Sequence, residues 1–398
     1  MAKKNIYLDY AATTPIEPKV LKKMLVFLKN NFGNPSSIHS FGQEAKTAIE
    51  EAREKIASSL NCSSSEVFFT GSATEANNIA ILGIVRAAKR QGIKNPHIIV
   101  SQIEHHAVLE PCRQLEKEGA ETTYLPVDKK GLINLSDIKK AIKKNTVLVS
   151  IMYANNEIGS IQPIGQISRL IGQAEHSIGH KIYFHTDAVQ AFNYLNCDVK
   201  KLGVDLLTLS GHKIYGPKGI GALYVRQNTP LEPVIFGGGQ EQGLRPGTEN
   251  TASIIGFAEA VQIAAQEREK EAKKIKPLRD KLIKGLLQKI PGAKLNGPQE
   301  SRLPNNVNIS IPGIEGESML ISLDQEGIAA STGSACSSRS LRPSHVLLAI
   351  GLTPKQAHGS LRFSLGKYTT RQDIEKVLAV LPKIVKRLRE ISPFKQNN

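Results

Sequence analysis

From about residue 40 to residue 265, short apolar runs alternate with longer segments whose apolar positions recur at helical spacing. The runs are "EVFFT", "HIIVS", "ETTYLPV", "TVLVSIMY", "KIYFHTD", "LLTLS" and "ALYV". Between them lie segments such as "GQEAKTAIEEAREKIASSL" and "EANNIAILGIVRAAKRQG", the latter ended by glycine. Parallel strands need a crossover between them, and a helical crossover covers one face of the sheet. The order therefore predicts an α/β fold with a mostly parallel seven-stranded sheet and helices on both faces. In such sheets ligands bind beyond the carboxyl ends of the strands. The polar residues that follow each run form the set to read for function.

The chain changes character near residue 266. A charged helix comes first, in which "EREKEAKKIKPLRDKLIK" (267 to 284) reads as a solvated face. "NNVNISIPG" and "SLRFSLG" then alternate like strands with one solvated face. A loop rich in small residues separates them, about 331 to 345. A last amphipathic helix is expected from near Thr370, where "TRQD" resembles a capping box with Asp in place of Glu. With 398 residues the chain is too long for one ordinary core. The expected division is a large domain over 15–265 and a small α+β domain built from 1–14 and 266–398.

No apolar run reaches the roughly 18 residues of a membrane span, and "MAKKNIYLDY" lacks the apolar core of a secretory signal. A cytoplasmic protein is the simplest expectation. The cysteines Cys62, Cys112, Cys197 and Cys336 form no CxxC, and neither a metal site nor a disulfide framework is evident. The first three are expected as small buried hydrophobes. The formal net charge is +16, but the lysines are spread along the chain and no nucleic-acid-binding signature accompanies them. Direct nucleic-acid binding is not expected.

The strand-end residues are individually ambiguous. After "EVFFT", Gly71 allows a tight turn and Ser72, Ala73 and Thr74 sit where a helix begins. Such a turn is either an ordinary N-cap or a phosphate cup. After "HIIVS", His105 or His106 reaches the crevice, and after "VSIMY" the adjacent asparagines Asn155 and Asn156 reach the same edge. Asp187 closes "FHTD", with Gln190 three residues on, and a carboxylate buried there needs a partner. "SGHKIYGPKGIG" adds Ser210, His212 and Lys213. That lysine is either a surface turn residue or, buried beside other charges, a Schiff-base former. Together they supply a phosphate cup, an Asp for a pyridinium nitrogen, a ring-stacking His and a reactive lysine. Those are the parts of a pyridoxal phosphate site.

The same stretches carry a resemblance that runs nearly end to end. "YLDYAATTP", "GNPSSIHSFG", "TGSATEANN", "EHHAV", "NNEIGSIQPI", "HTDAVQ", "SGHKIYGPKGIGALYV", "GGGQEQGLRPGTEN", "STGSACSS" and "SLRFSLG" resemble the cysteine desulfurases of the NifS/IscS type. These belong to the class V aminotransferase group of fold type I pyridoxal phosphate enzymes. The resemblance implies that Lys213 holds the cofactor covalently and takes the substrate's α-proton. Asp187 would pair with the pyridine nitrogen, Gln190 with the phenolic oxygen, and His105 would stack on the ring. Ala73, Thr74, Ser210 and His212 would hold the phosphate, with Thr248 reaching it from the other subunit of a homodimer. Asn34, Asn156 and Arg362 would hold the substrate carboxylate. Cys336 would attack the sulfur of L-cysteine, leaving alanine and a persulfide.

The resemblance also implies a sulfur-acceptor protein, either an iron–sulfur scaffold or a tRNA-thiolation protein. Many members have an acidic residue before "PSHVL"; here it is Arg342, with Arg339 nearby. Nearby cations favour a thiolate. The other readings are a selenocysteine lyase sharing the pocket, another class V enzyme, and a basic nucleic-acid-binding protein with a relict site. The "SACSS" stretch favours cysteine as substrate.

Overall fold

A computed structural model describes residues 5–332 and 343–391. Cys336, Arg339 and Arg342 lie outside the described residues. In chain order the strands are β1 (Ile6–Tyr7), β2 (Val67–Thr70), β3 (His97–Ser101), β4 (Glu121–Leu125), β5 (Thr146–Ser150) and β6 (Tyr183–Asp187). They continue with β7 (Leu206–Ser210), β8 (Gly221–Val225), β9 (Lys294–Leu295), β10 (Asn306–Ser310), β11 (Ile328–Ala329) and β12 (Ser360–Ser364).

The large sheet has seven strands in the order β2-β8-β7-β6-β5-β3-β4. Only β8 runs against its neighbours, β2 and β7; the other pairings are parallel. The central strands are buried on both faces, and their side chains divide by the two-residue period. Ile99, Val149, Leu207 and Leu209 pack into the core on one face. Ile98, Val100, Leu148 and Leu206 pack into the core on the other. Helices cover both, as a sheet of near-continuous apolar runs requires. The carboxyl ends of β2, β3, β5, β6 and β7 consequently open on one side.

The second core belongs to a three-stranded sheet, order β12-β10-β9, and to the parallel pair of β1 and β11. Val307, Ile309, Leu361 and Phe363 face it, and Ile6 and Leu8 of the N-terminal segment join them. The helix Thr251–Lys289 runs without a break through the boundary expected at residue 265 and packs in both cores. The last helix starts at Arg371, and its capping box is reciprocal. Thr370 N–H donates to Asp373 Oδ2 at 2.8 Å, and Asp373 N–H donates to Thr370 Oγ1 at 3.3 Å.

Two expectations are corrected. The polar faces of β10 and β12 are not solvated: every residue of both strands is buried. Asn306 and Asn308 donate from Nδ2 to the Glu157 carbonyl at 2.9 and 3.0 Å, and Ser310 and Ser360 share a hydroxyl contact at 2.8 Å. Alternation marks a polar face; it does not say whether water or another element satisfies it. Here the large sheet's loop does. The charged helical face is not wholly solvated either. Arg279 is buried and donates from Nη1 to the carbonyls of Arg302 and Leu303. Among the described residues no helix is long and apolar enough to cross a membrane.

Candidate active site

The open side of the large sheet holds a cavity of about 350 Å³. Ala73, Thr74, His105, Asn156 and Asp187 line it, as do Gln190, Ser210, His212, Lys213 and Arg362.

One end is the turn after β2. Ser72 caps the helix Ala73–Arg90 by accepting from Glu75 N–H at 3.1 Å. Gly71 N–H donates to Glu75 Oε2 at 2.7 Å, and Arg245 Nε donates to the other oxygen at 2.9 Å. The turn sits directly on β8. A Cβ at Gly221 would lie 2.8 Å from the Ser72 carbonyl carbon and 2.9 Å from Ala73 N, so only glycine fits. The first N–H groups of this helix and the dipole behind them favour an anion. Ser210 and His212 border the same end. Burial, with Lys213 and Lys218 nearby, pulls the His212 imidazole down to about 4, so it is neutral at pH 7.

The floor is Asp187, 7% exposed at the end of β6. Asn77 Nδ2 donates to its Oδ2 at 2.8 Å, and Val189 N–H to its Oδ1 at 3.0 Å. His105 stands at the N-terminus of the helix His106–Lys117, where its Nδ1 accepts from Ala107 N–H at 3.1 Å. An accepting Nδ1 places the proton of the neutral ring on Nε2. Burial lowers the His105 pKa, Asp187 opposing and Lys213 adding to the shift.

Lys213 ends a single 3₁₀ turn, Gly211–Lys213. Its Nζ donates to the carbonyls of Ala11 and Ala12 at 2.6 and 2.7 Å. Asn193 Nδ2 holds its carbonyl at 2.8 Å. The next residue but one, Tyr215, adopts φ +64°, a costly conformation for a side chain of that size. Thr14 stabilises it: its hydroxyl accepts from Tyr215 N–H at 2.8 Å and donates to the His212 carbonyl at 3.0 Å. The N-terminal segment is thus part of the lysine's support. Gln190 also reaches it, donating to the Ala11 carbonyl at 3.0 Å.

Arg362, on β12 and 2% exposed, closes the cavity. Its Nη2 donates to Asp9 Oδ1 at 2.8 Å and its Nη1 to the Asn156 carbonyl at 3.1 Å; its buried Nε has no hydrogen-bond partner among the described residues.

Asn34 and Thr248 are not among the cavity-lining residues. Asn34 is exposed and its Oδ1 accepts from Ser36 N–H at 2.9 Å. Three contributors carried no sequence expectation: Asn77, Asp9 and the Ala11–Ala12 carbonyls. Asn77 did leave a signal, being polar within the apolar stripe Ala76, Ile79, Ala80 of its helix. Backbone carbonyls leave none. Of the cysteines, Cys112 and Cys197 are buried, and Cys62 is half-buried. Burial pushes the thiols of Cys62 and Cys197 up to about 12.

A sheet of this topology with a lysine, an aspartate and a helix N-terminus at its carboxyl edge defines a fold type I enzyme. The chain belongs to the class-V aminotransferase family, whose pattern matches residues 6–377. It is 53% identical over 394 residues to "Cysteine desulfurase IscS" of Dictyoglomus turgidum, covering 99% of this chain and 98% of that one. A solved NifS-like protein superposes with a TM-score of 0.89 at 38% identity, covering 96% of this chain and all of the other. SspA, solved in complex with cysteine, gives 0.79 at 38% identity over 92% of this chain and all of that one.

Two buried carboxyls beside the site make stability depend on pH. Burial pushes Glu104 up to about 8 and Glu157 up to about 7. Folded, each keeps a proton that the unfolded chain has released above about 4.5, so stability is lost as pH rises towards the folded value. His185 and His97 are held neutral by burial, at about 3 and about 4. The unfolded chain binds their protons below its own value near 6.5, so their opposing contribution is complete by about pH 7. The melting temperature is expected to fall between about pH 7 and pH 8, and less steeply in Glu104→Gln. A curve that is flat or rises there in the unsubstituted protein contradicts this assignment.

Proposed function

We propose that the chain is a pyridoxal phosphate-dependent cysteine desulfurase that converts L-cysteine to L-alanine and leaves a persulfide on Cys336. The observation that supports this best is the convergence of Lys213, Asp187, His105 and Arg362 on one cavity beside a helix N-terminus. The donor set fits the cofactor. The first turn of the helix Ala73–Arg90, with Ser210 and His212, suits its phosphate. Asp187, oriented by Asn77 and the Val189 N–H, suits a protonated ring nitrogen. Bound there, pyridoxal phosphate supplies a conjugated electron sink for bond breaking at the carbons of an amino acid.

The chain's own residues do the rest. The Arg362 guanidinium and the Asn156 side chain hold the substrate carboxylate. Lys213 Nζ receives the α-proton, and its amine is kept within the site by the Ala11 and Ala12 carbonyls. His105, neutral with its proton on Nε2, is placed for acid–base work at the substrate sulfur. The Cys336 thiolate attacks that sulfur. The S–S bond forms as the C–S bond breaks, the electron pair passes to the carbon side, and that carbon gains a proton to give alanine. The sulfur carried on Cys336 then goes to an acceptor protein serving iron–sulfur cluster assembly or tRNA thiolation.

We also assign the division into a large unit, 15–265, and a small unit, 1–14 with 266–398, and a homodimer as the working form. Leu21, Leu25 and Leu28 on the helix Pro18–Lys29 are exposed together with Phe32, Ile38 and Phe41. So large an apolar patch calls for a partner. A second copy would cover it and bring Thr248 to the phosphate of the neighbouring site. Asn34 completes the substrate site in this reading. Sedimentation is expected to give a dimer of the holoenzyme; a fully active holo monomer contradicts it.

With L-cysteine and a thiol reductant the holoenzyme should release alanine and sulfide in equal amounts, and Cys336→Ala should release neither. Alanine from Cys336→Ala at the original rate would remove Cys336 from the reaction.

A further inference from the structure

The stretch Asn155–Glu157 joins several parts of the site's framework. Asn155 Oδ1 accepts from the N–H groups of Glu157 and Ile158 at 2.8 and 2.9 Å, which shapes the turn. The Asn156 carbonyl accepts from Arg362, and the Glu157 carbonyl accepts from Asn306 and Asn308. The carboxyl of Glu157, itself buried, takes a further donor: Ser344 Oγ, at 2.5 Å.

Ser344 lies eight residues beyond Cys336. It is buried and caps the short helix His345–Ala349, accepting from Leu347 N–H at 3.2 Å. Val346 and Leu347 of that helix pack with Ile103, Met152 and Ile158 beneath the cavity wall. His345 Nε2 bonds the Glu104 carbonyl at 2.9 Å. On the other side of Cys336, Ser331 pairs through its backbone with Arg362: Ser331 N–H donates to the Arg362 carbonyl at 3.1 Å, and Arg362 N–H donates back at 2.6 Å. The two roots of the cysteine-bearing segment are therefore tied to the two sides of the substrate-carboxylate site. The first root is held by backbone pairing, which any side chain permits. The second is held by side chains: Ser344 on the Glu157 carboxyl, His345 on the Glu104 carbonyl, and Val346 and Leu347 in their apolar cluster.

We propose that Glu157 is a positioning residue: through Ser344 it fixes the C-terminal root of the Cys336 segment against the loop that holds the substrate carboxylate. The inference rests on the desulfurase reading above. Sulfur must pass between a substrate held at Asn156 and Arg362 and a thiol carried on a segment rooted at the same place. Fixing the root limits the positions from which the segment can present its thiol, and misplacement of a reacting group by about 1 Å can cost two orders of magnitude in rate. A buried carboxyl oxygen that accepts from a buried hydroxyl is such a tie, because neither group has water to turn to.

The test compares Ser344→Ala, Glu157→Ala and Glu157→Gln holoenzymes. Glutamine keeps an acceptor for the Ser344 hydroxyl and alanine does not. The readouts are kcat and KM for L-cysteine, cofactor content, and the rate at which iodoacetamide alkylates Cys336 without substrate. Both alanine variants should lose about 10-fold in kcat with KM and cofactor content unchanged, while Glu157→Gln stays within about 2-fold of the unsubstituted enzyme. Alkylation of Cys336 should quicken in the alanine variants alone. Unchanged kcat in the alanine variants overturns the proposal. So does a fall in kcat accompanied by lost cofactor or a raised KM, or a glutamine variant no better than alanine. Alkylation needs no turnover, so the root can be read even if the unsubstituted enzyme releases no alanine, the result that would remove the desulfurase reading instead.

Discussion

A guanidinium that is 2% exposed has to be answered by the protein around it, because arginine does not shed its charge. The Arg362 guanidinium is answered from two directions, by Asp9 of the N-terminal segment and by the Asn156 carbonyl of a loop of the large sheet, while its backbone pairs with that of Ser331 in the chain leading towards Cys336. These contacts hold the second sheet against the first. They also leave Nε without a hydrogen-bond partner among the described residues and the guanidinium on the cavity wall, where a carboxylate is the natural complement. The N-terminal segment that supplies Asp9 goes on to supply the Ala11 and Ala12 carbonyls to Lys213. One buried cation thus connects the cavity wall, the lysine and the joining of the two cores.

The electrostatics around Lys213 follow from burial more than from pairing. His212 and His105 are neutral because the ring charge would be desolvated. Asp187 keeps company with donors only, Asn77 and Val189 N–H. Both of its oxygens are oriented as acceptors, which suits it to a protonated ring nitrogen. Glu104 and Glu157 also accept hydrogen bonds, from the Ser101 hydroxyl and Met152 N–H and from the Ser344 hydroxyl, but burial outweighs them and pushes both up.

Much of the large sheet was legible in the sequence because its strands are buried on both faces and read as unbroken apolar runs, "HIIVS" and "LLTLS" above all. Position alone pointed to the turn at Ala73, to His105 or His106, to Asp187 and to Lys213, since a polar residue just past such a run has the crevice before it; the choice of His105 came with the family resemblance. The second sheet was half legible. "NVNIS" and "LRF" announce a polar face, but nothing local says that Glu157 and Asn156 would meet it in place of water. The long-range partners share this fate: Asn77 for Asp187, Asp9 for Arg362 and Ser344 for Glu157 are far apart in the chain, and periodicity does not speak across such distances. Backbone acceptors such as Ala11 and Ala12 are invisible by nature, because every residue carries one.

The central claim is that this edge of the sheet is assembled to hold pyridoxal phosphate on Lys213. Borohydride reduction of the holoenzyme followed by peptide mass mapping tests it most directly. The account predicts the pyridoxyl group on the peptide carrying Lys213 and on no other lysine. A group found on another lysine, or a protein that retains none, would contradict it.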